Sequence, residues 1–190
     1  MNRFQDIAHL PGQRPVMWRA SRPLYAFLAC FAGAAWPPLV LTMLIWPPAN
    51  WLIVRDIDWR LIVLLIGAFA APAGLWLLDR ESELTGRPTG RLGIVWRFML
   101  YGGVAAAVLQ TLVTLVMVVF GWFEAGGFAQ AVGATETTVL IFGVGGLPIA
   151  MVVGVSYALW AGLCVAFIAF QPKPPAVRDR LGVLGDTQER

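Results

Sequence analysis

Val139–Phe170 reads VLIFGVGGLPIAMVVGVSYALWAGLCVAFIAF, 32 residues without one charged side chain. At 1.5 Å per residue such a run is about 48 Å long as a helix, beyond the roughly 30 Å of a bilayer core. Gly143, Gly145, Gly146 and Pro148 account for the excess. They predict a short, bent or irregular entry over Val139–Gly146, and a span proper over residues 147–170, closed by Gln171, Pro172, Lys173 and Pro174.

Three more apolar runs precede it. Residues 23–46 are uncharged and interrupted by Pro37 and Pro38, so a kink is expected at Pro38, which removes a backbone donor. Residues 61–78 hold Pro72 and are expected to stop at the run Asp79, Arg80, Glu81, Ser82, Glu83. Residues 96–120 follow, with Trp96 and Trp122 at the two ends as interfacial aromatics. The chain is 58% hydrophobic and 13% charged, against about 25% charged in soluble domains. The fold class is therefore an all-α integral membrane protein of four transmembrane helices, the fourth long and interrupted by Gly and Pro. Residues 1–22 form an N-terminal segment, 23–170 the transmembrane domain, and 171–190 a polar, mobile tail. Residues 1–22 lack the apolar core of a signal peptide, so the first run is expected to act as an uncleaved anchor.

Orientation follows from the basic residues beside the spans. Arg3, Arg14, Arg19 and Arg22 precede the first, Arg80, Arg87 and Arg91 lie between the second and third with Arg97 at the near lip of the third, and Lys173, Arg178, Arg180 and Arg190 follow the fourth. The remaining loops hold only Arg55 and Arg60, and Gly121–Thr138 has no Lys or Arg. Both termini are thus placed in the cytoplasm. The net charge of +3 reads as topological charge facing anionic headgroups, not as a nucleic-acid surface. The Arg-rich, Lys-poor usage suits a GC-rich genome, and a bacterial inner membrane is the expected location.

On the fourth span Gly146, Ala150, Gly154, Ala158, Gly162 and Ala166 recur every four residues. Small side chains at this spacing let helix backbones approach closely, and in lipid this packing must drive association. The stripe drifts about 40° per step and wraps about half the helix, so two packing partners are expected, within the bundle or on another subunit. Ile168 is expected to face lipid. On the third span Gly102, Ala106, Gln110 and Thr114 share the spacing. Gln110 is the strongly polar side chain deep in a span, and Thr114 accompanies it. An interhelical hydrogen bond is the first reading and a substrate contact the second. Ala26, Cys30 and Ala34 give the first span a small-residue face at the depth of Cys164, and the first and fourth spans are expected to be neighbours.

Other chemistry is sparse. No ionisable side chain stands at the centre of a span, whereas proton-coupled carriers and voltage sensors need one. His9 lies outside the spans, the two cysteines have no metal spacing, and no GxSxG, HExxH or Walker motif occurs. Asp79, Glu81 and Glu83 gather carboxylates, better read as a solvated helix cap than as a catalytic cluster. No cofactor, metal or catalytic residue is expected. No internal repeat supports an inverted-repeat transporter. The layout resembles that of the small membrane subunits of tripartite transporters, and no sequence motif carries the likeness further. The expected function is a non-catalytic inner-membrane subunit or accessory protein, with other membrane subunits or further copies of itself as partners. The alternative is a small oligomeric transporter, channel or pore-forming protein.

Overall fold

The computed structural model describes residues 15–48, 58–85 and 90–173. Arg3, His9, Arg14, Arg55, Arg87 and the tail beyond Lys173, on which some expectations rest, lie outside them. The described chain runs β1 (Val16–Trp18), α1 (Arg22–Ala34), α2 (Pro37–Ile45), α3 (Trp59–Thr85), α4 (Arg91–Glu124), α5 (Phe128–Thr138), a π-wound stretch Val139–Gly145, α6 (Gly146–Cys164), a second π-wound stretch Val165–Ala169 and β2 (Phe170–Pro172). It is mostly helical. Three helical stretches are long and apolar enough to cross a membrane, and the bent pair α1–α2 makes four if it counts as one span.

The first apolar run breaks at Ala35–Trp36, and α1 and α2 meet at 59°. The break falls just before the expected kink because Pro37 and Pro38 both lack an N–H. As the opening residues of α2 they need none, since a helix leaves its first donors free anyway. The carbonyls of Gly33 and Ala34 thereby lose the donors that an unbroken helix would supply.

α3 does not stop at Asp79. It continues through the charged run to Thr85, because Asp, Arg, Ser and Glu are compatible with helix once the side chains reach water. Its N-terminus is tied to the end of α2. The Asp58 carboxylate accepts from the Arg60 backbone N–H at 2.9 Å and from the Arg60 Nε at 2.9 and 3.0 Å. The same guanidinium donates to the Thr42 carbonyl at 3.0 Å and to the Trp46 carbonyl. One side chain thus closes the C-terminus of α2 and the N-terminus of α3 together.

α4, with 34 residues, is about 51 Å long. The segment expected as an external loop, Gly121–Thr138, is mostly helical. α4 extends to Glu124, and after a turn at Ala125–Gly127 the Ala-rich α5 runs without a gap through the first π-wound stretch and α6 into the second, Phe128–Ala169, 42 residues in all. The irregular entry expected over Val139–Gly146 takes the form of π winding. Pro148 cannot donate to Val144, and the helix widens just before it. The hairpin is pinned near its tip, where the Trp122 Nε1 donates to the Thr135 hydroxyl at 2.7 Å and the Trp122 and Phe128 rings meet edge to face.

The all-α expectation misses two three-residue strands. β1 pairs antiparallel with β2, matching Val16 to Pro172, Met17 to Gln171 and Trp18 to Phe170, and Pro15 bridges to Gly90. The chain entering α1 and the chain leaving α6 are therefore zipped together at one end of the bundle. The principal core lies at that end: Ala29, Leu75, Leu78, Ile94, Val95, Phe98, Ala161, Val165, Ala166, Ala169 and Phe170, with Val16 and Trp18 packed against it.

Candidate functional site: the helix seams and the charged rim

α6 lies along α4. A Cβ built on Gly154 would fall 2.3 Å from the Ala106 Cβ and 3.0 Å from the Gly102 carbonyl, and one built on Gly102 would fall 2.2 Å from the Ala158 Cβ. Only the missing side chains permit this approach. Toward one end of the seam, Gly162 meets the Phe98 Cβ and the Val95 Cα. Toward the other, Gly146 leaves room for the Gln110 amide, whose Nε2 a Cβ would meet at 2.7 Å. Ala166 is fully buried in the core and Ala150 is half-buried. The positions with resolved neighbours, Gly146, Gly154, Ala158 and Gly162, thus all face α4. One partner follows the drifting stripe because α4 carries the same four-residue repeat.

Gln110 donates from Nε2 to the Phe142 carbonyl at 2.8 Å, inside the π-wound stretch. The buried Thr114 hydroxyl donates back to the Gln110 carbonyl at 2.9 Å. An interhelical polar contact therefore sits where the backbone is irregular and its carbonyls are open to a side-chain donor.

α6 meets α1 on an adjacent face. A Cβ on Gly33 would stand 3.3 Å from the Ala161 Cα. The Trp160 Nε1 donates to the Ala32 carbonyl at 2.9 Å, and the Tyr157 hydroxyl donates to the Ala34 carbonyl. Tyr157 also crosses α3 at Gly67, where a Cβ would fall 1.7 Å from its hydroxyl oxygen. Three elements thus meet around one phenol. Ala29 and Gly33 form the close face of α1, rather than Ala26 and Cys30, which pack at the margin of the core. Ile168 also packs against the core instead of turning to lipid, because the widened winding of Val165–Ala169 shifts the register there.

The rim at the strand end is charged. Arg22 pairs with Asp79 and lies over the Trp18 ring, 4.5 Å to its centroid. Arg97 pairs with Glu81 at 3.3 Å, and the Tyr101 hydroxyl donates to the same carboxylate. Asp79 and Glu81 are therefore engaged by arginines within α3's last turns, not gathered as a helix cap. Among the described residues no three His, Cys, Asp or Glu side chains come together as a metal site would need. Arg80 lies over Trp76, Arg19 over Tyr25 and Arg91 over Phe167, each an aromatic–guanidinium contact suited to a membrane interface.

Tyr157, Trp160 and Arg60 were not singled out by motif reasoning. Their signal is indirect: a Pro pair breaks the first helix after Ala34, and a span carrying Tyr and Trp one turn apart can donate to carbonyls at that break. No protein-family model, curated protein or solved structure matches this chain.

Proposed function

We propose that the chain is a non-catalytic subunit or accessory protein of a larger assembly in a bacterial inner membrane, crossing it four times with both termini cytoplasmic. The observation that carries the subunit reading is the far half of the long hairpin. α5 and the π-wound stretch after it make their substantial contacts with α4 and with their own continuation. Leu112, Leu115, Val116, Phe120, Leu140, Ile141 and Val144 stand exposed along this two-helix arm, most of them more than half so. Among the described residues, the bent α1–α2 pair and α3 make no substantial contact with α5 or the π-wound stretch after it. In a bilayer such a surface is satisfied by lipid or by another helix, and small or apolar helix faces free of the bundle are where subunits join. The placement of both termini inside is supported by the basic residues of the rim and by the β1–β2 pairing, which holds the start of the first span and the end of the last together.

A photo-crosslinking residue placed at Val116 or Leu140, in the native membrane, tests the reading. A stoichiometric adduct with one different chain is the expected result. An adduct with a second copy of this chain favours the small oligomeric transporter or channel instead. Adducts with lipid alone overturn both. Reporters fused after Arg190 and inserted near Gly90 are expected on the cytoplasmic side, and one near Gly127 on the opposite side. A cytoplasmic signal at Gly127 removes the four-span layout.

A further inference from the structure

Two arginines at the rim meet at one exposed aromatic residue. The Arg19 Nη2 donates to the Phe167 carbonyl over a long 3.4 Å, and the Arg91 guanidinium lies over the Phe167 ring, 4.6 Å to its centroid. The ion pairs of the described residues are Arg22–Asp79, Arg60–Asp58 and Arg97–Glu81. Neither Arg19 nor Arg91 has a carboxylate among the described residues. Both residues are partly exposed, and a guanidinium without a carboxylate beside it can take an anionic acceptor supplied from outside the chain. Arg91 is moreover the first residue of α4, whose Gly90 cap offers no side-chain acceptor. The free amides of that helix end add to the positive potential instead of offsetting it.

We propose that Arg19 and Arg91 seat the phosphodiester of an anionic glycerophospholipid, with an acyl chain running along the exposed Phe167. Guanidinium groups bind phosphate oxygens through paired N–H donors. Phe167 is 52% exposed and Leu163, one turn along the same helix, is 38% exposed, so apolar surface continues inward from the two charges. A lipid supplies both parts, whereas a free anion supplies only the first. A zwitterionic lipid brings an ammonium group of its own into a region already positive. This proposal rests on the membrane reading and not on the subunit reading.

The purified full chain in mild detergent, titrated with phosphatidylglycerol, phosphatidylcholine or inorganic phosphate and read by native mass spectrometry and thermal unfolding, tests it. Phosphatidylglycerol is expected to stay bound and to raise the unfolding temperature, with the other two giving no such effect. R19Q/R91Q is expected to weaken phosphatidylglycerol binding tenfold or more. R80Q, which removes the same charge from an exposed side chain elsewhere on the rim, is expected to bind as the parent does. Unchanged binding in R19Q/R91Q overturns the site. So does an equal loss in R80Q, which would mark a general charge effect. Inorganic phosphate binding as well as the lipid overturns the lipid assignment. R19K and R91K keep the charge but lose the guanidinium fork, and weakened binding in either supplies the reading if the double variant does not fold; parental binding in both overturns it.

Discussion

The Tyr157 hydroxyl of α6 is hydrogen-bonded to the Ala34 carbonyl of α1, an acceptor that Pro38 cannot serve. At the break the Trp36 N–H turns from Ala32, its partner in an unbroken helix, to the Ala34 carbonyl at 3.0 Å, and the Trp160 Nε1 takes its place at Ala32. The Trp36 N–H still serves the Ala34 carbonyl, so removing the phenol loses one hydrogen bond and does not leave the acceptor bare. Tyr157→Phe is therefore expected to destabilise the protein by about 1 kcal/mol, and Y157F/W160F by more. Gly67→Ala is expected to exceed the single loss, since its Cβ occupies the place of the phenol oxygen. Unfolding in detergent against a denaturant measures all three. A Y157F protein as stable as its parent would remove the capping role.

The α4–α6 seam predicts a sharper contrast. Gly154→Leu or Gly102→Leu forces apart backbones already in contact and is expected to cost about 3 kcal/mol or to prevent folding. Val152→Phe, at a position 70% exposed on the same helix, is expected to be tolerated. Ile168→Phe is expected to be damaging, because Ile168 packs against the core. Yield and thermal stability after extraction compare them. Equal behaviour of the Gly154 and Val152 variants would deny the seam its role.

Gln110 holds the π-wound stretch through the Phe142 carbonyl. Gln110→Leu is expected to speed amide hydrogen exchange over Val139–Gly145 several-fold while leaving α1 unchanged. Gly146→Ala, which displaces the same amide, is expected to do likewise. Exchange followed by mass spectrometry checks both. Unaltered protection in Q110L would mean that Pro148 alone sets the winding.

The junction of α2 and α3 carries an acid dependence. The hydrogen bonds from the Arg60 side chain and backbone hold the Asp58 carboxyl below its ordinary value of 3.8, and the Arg60 guanidinium is raised in turn by Asp58. A depressed carboxylate contributes its stability above the unfolded value, and that contribution is lost as the pH falls through the folded one. The junction is thus expected to hold from neutral pH down to about pH 4 and to loosen below it. Asp58→Asn is expected to flatten this acid limb. A stability profile between pH 6 and pH 2 that is the same for D58N and the parent would contradict it.

The apolar spans were legible because bilayer solvation demands long uncharged runs, and Val139–Phe170 and Phe98–Phe120 display them without ambiguity. The four-residue repeats on α4 and α6 were legible for the same reason: small residues at helical spacing have few uses in lipid other than contact. What stayed hidden was set by tertiary contact. The sequence around Asp79–Thr85 reads as a stop only while water and helix are treated as alternatives, and α3 is helical in both environments. Val16–Trp18 and Phe170–Pro172 are too short to show a strand period, and each is extended because the other is there. The bonds of Tyr157 and Arg60 to carbonyls more than ten residues away leave no spacing to detect.

The pairing of β1 with β2 bears on how the chain is made. Synthesis delivers Val16–Trp18 ahead of α1, and their partners only after α6 has been made. The Ala32 and Ala34 carbonyls likewise wait for Trp160 and Tyr157. α1 and α2 are thus made before the helices that complete them. A chain halted after α4 still lacks the strand that pairs with β1 and the side chains that serve the break between α1 and α2.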